Sequence, residues 1–175
     1  MAPADRPDEG PAAEPAGGWL NPAEQHAWLA YVRVSLRLSY EMNRQLQADS
    51  GMSLADFDVL TALSAAPGGT LKITALAAQI GWERSRLSHH VSRMADRGLI
   101  QCARATTDRR ATEVSFTDEG RSALRRAAPG HVELVRQLFF TGLPAPLLTQ
   151  VSAAFEIIEA NIARYGSLPL ATDPG

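Results

Sequence analysis

A mainly α-helical fold carrying one small β-hairpin is what these 175 residues predict. Three observations lead there. Apolar residues recur at helical spacing in six segments between Trp28 and Ile162. Two short stretches, 99–104 and 111–116, alternate instead with the two-residue period of paired strands. Glycine and proline fall between the segments, at Pro67-Gly68-Gly69, Gly81, Gly98, Pro129-Gly130 and Pro144. The resulting order is four helices, a hairpin and two further helices.

Residues 1–18, rich in Pro, Ala, Gly and acids, hold almost no large apolar group. They read as a disordered tail, because burial there cannot offset the entropy of ordering. A long first helix follows from Pro22 to about Gln47, carrying Trp28, Tyr31, Val32, Leu38, Met42 and Leu46. Ser53 starts a second, with Asp56 three residues on in capping-box spacing and Leu54, Phe57, Leu60 and Leu63 as its inner stripe. A short third helix, about Ile73 to Ile80, buries Ile73, Leu76 and Ile80, and Gly81 turns the chain in a left-handed conformation. The fourth helix runs from Arg84 to about Arg97, where Gly98 stops it. Strands 99–104 and 111–116 flank the polar loop Ala105–Arg110, and Thr117 caps a fifth helix that Pro129-Gly130 should kink or interrupt. Pro144 opens the last helix, whose stripe is Leu148, Val151, Phe155, Ile158 and Ile162.

The central part is thus a winged helix-turn-helix, with a lobe at about 53–117 inside a domain spanning 19–165. Long helices at about 22–48 and 118–164 flank it, and a short tail, 166–175, follows. The flanking helices carry more apolar surface than so small a module can cover, which predicts a partner chain. Their aromatic and methionine residues, Trp28, Tyr31, Tyr40, Met42, Met52 and Phe57, are expected in the core.

The chain's formal charge of −2 argues against indiscriminate polyanion binding. Charge is unevenly placed, however: from Arg84 to Arg110 there are seven arginines against two aspartates, a local excess of +5. A basic module on an acidic body suits a protein that touches a polyanion with one face. The single cysteine, Cys102, excludes an intramolecular disulfide framework and fits a reducing compartment. No apolar run reaches membrane-spanning length and the N-terminus lacks a hydrophobic signal core, so no membrane role and a cytoplasmic location are expected.

The fourth helix is the informative one. Its apolar edge is narrow, Leu87, Val91 and Met94, and its other surfaces present Arg84, Ser85, Arg86, Ser88, His89, Ser92 and Arg93. So many donors beside so little apolar edge suit a helix lying in a DNA major groove, where base edges offer acceptors. Arg86 is placed to make a bidentate guanine contact, while Arg84, Arg93 and Arg104 suit phosphates.

The segments LAAQIGWERSRLSHHVSRMADRGLI, the loop DRR at Asp108–Arg110 and the join VSFTDEGR at Val114–Arg121 together resemble the MarR family of bacterial transcription regulators. The resemblance extends over about residues 24–164. It implies a homodimer that binds a palindromic operator on double-stranded DNA, with the helix Arg84–Arg97 in the major groove and the wing in the flanking minor groove. It places Ser85, Arg86, Ser88 and His89 at groove-facing positions. At the wing it implies that Arg110 enters the minor groove and Asp108 holds the turn; Arg109 stands beside them with no role favoured. It also implies a small-molecule effector, aromatic or phenolic, in a cleft where Tyr31, Arg33 and Ser35 supply polar contacts and Phe57 a wall. Two departures stand out: Glu83 where many members have Ser or Asp, and Trp82 where a smaller aliphatic residue is usual.

Other readings fare worse. His89 and His90 point about 100° apart on a helix and no His pair at i, i+4 exists, so no metal site is expected. Alternation with Ile100 turns Cys102 inward, as a small apolar residue. Ser88, His89 and Asp96 share one solvent-facing helix and cannot form a catalytic triad, and no phosphate-binding glycine loop is present, so neither enzyme nor cofactor is expected. A winged-helix protein-interaction module without a specific DNA site is the alternative. The +5 excess and the Asp108–Arg110 pair speak against it.

Overall fold

The computed structural model describes residues 18–105 and 111–168. Elements run in the order α1 (Pro22–Ser50), α2 (Leu54–Ala65), a 3-10 turn (Pro67–Gly69), β1 (Thr70–Lys72), α3 (Ile73–Gln79), α4 (Arg84–Asp96), β2 (Ile100–Arg104), β3 (Thr112–Phe116), α5 (Asp118–Val135), a π turn (Arg136–Phe140) and α6 (Ala145–Tyr165). The chain divides into two compact units, Met1–Leu38 and Ser39–Gly175, and α1 belongs to both. No single helix among the described residues is long and apolar enough to cross a membrane.

In the first unit, Asn21 and Glu24 open α1 reciprocally. The Glu24 amide donates to Asn21 Oδ1 at 3.0 Å, and the Asn21 amide to Glu24 Oε2 at 2.9 Å. Two otherwise orphaned amides are thereby satisfied, with Pro22 at the first helical position. Trp28 and Tyr31 pack ring to ring at 5.5 Å yet both are exposed, as is Tyr40 in the second unit. That corrects the expectation of a core position for these three; Met52 and Phe57 are buried as expected, and Met42 is half-buried.

In the second unit, α2 is the centre of the core. It buries Phe57, Val59, Leu60, Ala62 and Leu63 around most of its circumference, more than the single stripe expected. Leu46, Met52, Leu71, Ile73, Leu76, Leu87, Val91, Met94, Ile100, Val114 and Phe116 close around it. The reciprocal Ser53–Asp56 capping box starts α2, and Asn43 Oδ1 accepts the Leu54 amide at 3.0 Å. Ile80, expected inside, is half-buried at the end of α3.

The sheet has three strands in the order β1-β3-β2, all antiparallel, with Leu71 opposite Val114 and Ile100 opposite Phe116. The expected hairpin is therefore extended by β1, three residues that pair with the inner side of β3. Thr117 then joins sheet to helix: its hydroxyl accepts the Gly120 amide at 3.0 Å and faces the carbonyls of Gly98 and Leu99 at 2.7 and 2.9 Å. The start of α5 is thereby locked to the end of α4.

α5 does not break at Pro129-Gly130; it continues to Val135, and the irregularity appears at the π turn. A Cβ on Gly130 would sit 2.9 Å from both Asp49 Oδ2 and Gln45 Nε2 of α1, the movable ends of two side chains. α6 begins after Pro144 and has no buried residue; Phe155, Ile157, Ile158 and Ile162 are exposed.

Gly120 is the tightest approach in this frame, because a Cβ on it would run into the Leu99 carbonyl. Gly120→Ala should therefore lower stability by about 3 kcal/mol, the upper range for overpacking, measured by urea unfolding; a loss under about 0.5 kcal/mol, typical of an unconstrained surface site, would contradict this account.

Candidate DNA-binding site

The turn between α3 and α4 is set by hydrogen bonds at the end of α3. Gly81, at φ +68°, sends its amide to Ala78 O, and the Trp82 amide reaches back to Ala77 O at 2.9 Å. These are the two bonds of a Schellman motif, which requires a left-handed residue and explains the glycine. Glu83 occupies the N-cap of α4 and makes no side-chain cap bond. The same motif closes α4: Gly98 lies at φ +72°, its amide bonds Ala95 O, and the Leu99 amide bonds Met94 O at 3.0 Å.

Between these stops, α4 buries Leu87, His90, Val91 and Met94 and exposes Arg84, Ser85, Arg86, Ser88, His89, Ser92 and Arg93. The expected base contacts Ser85, Arg86, Ser88 and His89 and the expected phosphate contacts Arg84 and Arg93 are thus all on its open side. The Ser88 hydroxyl donates to Arg84 O at 2.8 Å.

His90 belongs to the inner face through a polar cluster that sequence patterning missed. Asp56, 2% exposed, takes His90 Nε2 at 3.0 Å on one oxygen and Arg97 Nη1 at 2.8 Å on the other, while also accepting the Ser53 amide. Arg93 Nη2 lies 3.1 Å from His90 Nδ1. A guanidinium only donates, so the Arg93 contact makes Nδ1 the acceptor, while Nε2 lies 3.0 Å from Asp56 Oδ1 as a close polar contact without hydrogen-bond geometry. Burial works against ionisation of Asp56, but His90, Arg97 and the two Ser53 bonds outweigh it and hold the carboxyl well below the usual carboxylate range. Trp82 packs its ring against His90 at 5.3 Å, nearly edge-on, and Arg86 lies over the Trp82 ring at 4.1 Å.

The wing stem is the β2–β3 pair, with exposed Arg104 opposite Thr112 and the Ala105 amide bonded to Ala111 O at 2.9 Å. Asp108, Arg109 and Arg110 lie outside the described residues. Cys102 is exposed, which corrects its expected burial. It does share a sheet face with Val114, its cross-strand partner. The core, however, covers the central strand β3 and reaches within edge strand β2 only at Ile100. Partial desolvation still raises the thiol pKa.

Of the residues considered for an effector, Phe57 is buried and stacks on His131 at 4.4 Å. Tyr31 and Arg33 are exposed on α1, and the half-buried Ser35 donates its hydroxyl to Val32 O at 3.1 Å. Tyr31 and Ser35 share one side of the helix, whereas Arg33, two residues from each, projects from the other. Among the described residues no group of three or more His, Cys, Asp or Glu could hold a metal ion.

A helix-turn-helix with an open, basic donor face and a three-stranded wing defines a DNA-binding module. The MarR family model matches residues 50–111. The chain is similar to Sco3205, a MarR family transcriptional regulator from Streptomyces coelicolor solved in complex with DNA, at 34% identity over 88% of this chain and 100% of that one, with a TM-score of 0.81. It is similar to AbsC, another from S. coelicolor, at 30% identity over 83% and 98% of the two chains and a TM-score of 0.78. The fold is shared with the M. tuberculosis regulator MOSR, solved with DNA, at 24% identity over 77% and 97% of the chains and a TM-score of 0.61. A search of curated proteins gave no match. The chain belongs to the MarR family and is a DNA-binding transcriptional regulator, not an enzyme.

Asp56 is the joint of the site, so Asp56→Ala should cost about 3 kcal/mol at pH 7, of which the lost helix cap is about 1. A carboxyl with a depressed folded-state pKa contributes stability that is whole above the unfolded value of about 4 and fades as pH falls toward the folded value. Urea unfolding should show a constant gap between wild type and variant from pH 7 to about 5 that narrows below about 4; a gap that widens on acidification would contradict the assignment.

Proposed function

We propose that this chain is a homodimeric repressor that reads a palindromic operator with α4 and its wing and is released by a small aromatic or phenolic effector. One observation carries the DNA-reading part. Every polar side chain of α4 expected to meet DNA lies on its open face, and the opposite face is tied to α2 through Asp56. Ser85, Arg86, Ser88 and His89 meet base edges; Arg84, Arg93 and Arg104 meet phosphates. At the wing tip Arg110 enters the minor groove, Asp108 holds the turn, and Arg109 adds charge. The relative solved with DNA supports this reading.

The lobe at about 53–117 does the reading and the helices at about 22–48 and 118–164 dimerise. Exposed apolar residues support this on each helix separately: Trp28, Leu29 and Leu36 on α1, and Phe155, Ile158 and Ile162 on α6. A twofold dimer would set its recognition helices roughly 34–36 Å apart, one turn of DNA.

For the effector, the support is two unpartnered buried polar atoms, one of them on His131, whose ring contacts Phe57. His131 Nδ1 and Gln45 Oε1 are buried and make no hydrogen bond among the described residues, and burial lowers the His131 pKa. A phenol offers both a ring for Phe57 and a donor for such acceptors. An effector acts only by binding the DNA-free form more tightly.

Selection from random duplexes should return a palindrome, and a selected pool without one would overturn the proposal. On the selected duplex, Arg86→Ala should erase roughly 1–3 kcal/mol of discrimination at one base pair. Arg93→Ala should weaken every duplex alike and reduce the salt slope by about one. Equal losses across all base-pair variants for both substitutions would refute the division of roles.

Titration of salicylate into the protein–duplex complex should release DNA from wild type and release much less from Gln45→Leu. Equal release from both would remove Gln45 from the effector site.

A further inference from the structure

We propose that Trp82 is a specificity-positioning residue, whose indole holds the Arg86 guanidinium ready for a guanine edge. The proposal rests on the reading of Arg86 as a base-contacting residue.

Trp82 is itself immobilised from three directions. Its amide is bonded to Ala77 O at 2.9 Å in the turn that Gly81 permits. Its ring packs edge-on against His90, which the buried Asp56 holds in turn. Its half-buried indole also lies against the core cluster. Arg86, four residues on in the first turn of α4, then lies over the ring, 4.1 Å from its centroid.

A guanidinium stacked on an aromatic face keeps its N–H groups in the ring-parallel plane, free to donate edgewise. Guanine O6 and N7 are met by such a planar pair of donors. An arginine on bare helix surface samples many rotamers and must be ordered when DNA arrives; one already stacked loses less on binding. The same platform penalises a wrong base, because the guanidinium gives up its contact with the ring when it swings away to another acceptor. Arg84 and Arg93 have no aromatic ring beneath them among the described residues, where Arg86 alone of the α4 arginines lies over one.

A cation–π contact at an exposed site corresponds to roughly two- to fivefold in an equilibrium constant. The test uses a duplex selected by the wild-type protein and its single-base-pair substitutions, with dissociation constants read by fluorescence anisotropy. Trp82→Leu keeps apolar bulk against the core and removes the ring; Trp82→Phe restores a ring. The discrimination ratio at the base pair where Arg86→Ala loses it should fall about threefold in Trp82→Leu and recover in Trp82→Phe. Ratios at other positions should not move, and Trp82→Leu should add nothing in an Arg86→Ala background. An unchanged ratio in Trp82→Leu, or the same loss with and without Arg86, overturns the proposal while leaving Arg86 as a base reader. An Arg86→Ala variant that alters no base preference overturns the underlying reading, and the positioning role with it.

Discussion

The constraint on which the rest of this molecule depends is the satisfaction of one buried carboxylate. Asp56 closes the N-terminus of the central helix α2 through Ser53 and, with its other bonding capacity, meets His90 of α4 and Arg97 at the C-cap of that helix. A carboxylate buried this deeply is tolerated only when its oxygens are all engaged. The ion pair therefore does more than add attraction between two helices. It sets the roll of α4: rotation by one residue position would strip Asp56 of a partner and bring Arg86 or His89 toward the core. Apolar packing at Leu87, Val91 and Met94 holds α4 down, and Asp56 fixes which way it faces.

Much of this was legible in the residues. Periodicity placed all six helices, and glycines 81 and 98 marked the turns because each needs a left-handed backbone that other residues rarely adopt. The serine-to-aspartate spacing at the start of α2 announced its cap. Asp56's second role did not show, since its partner Arg97 lies 41 residues away and nothing local signals a contact of that range. His90 gave the same difficulty: one histidine on an otherwise apolar edge looks the same whether bonded or not. β1 was missed because three residues are too few to display a period. Pro129 misled for a general reason. Its missing amide weakens a helix, but α5 continues past it to Val135. Cys102 was expected inward from its alternation with Ile100 and the first-helix aromatics from their residue type, although exposure depends on what covers them.

The distribution of polarity follows the same logic. The open side of α4 carries arginines, serines and a histidine with almost no apolar surface, whereas α1 and α6 each leave large aliphatic and aromatic side chains in contact with solvent. These are two kinds of unfinished surface. One invites a polyanion whose contacts are released by salt, the other an apolar partner whose contacts are not. Trp82 sits where the two kinds of packing meet, with one part of its ring in the core and one face under a cation.

The central claim, that a buried polar joint makes α4 a fixed element rather than a mobile arm, is tested most directly by native-state hydrogen exchange of its amides in the DNA-free protein. The account predicts that amides from Val91 to Asp96 open only with the free energy of global unfolding, as core elements do. Exchange of those amides through a local opening well below the global value would contradict it.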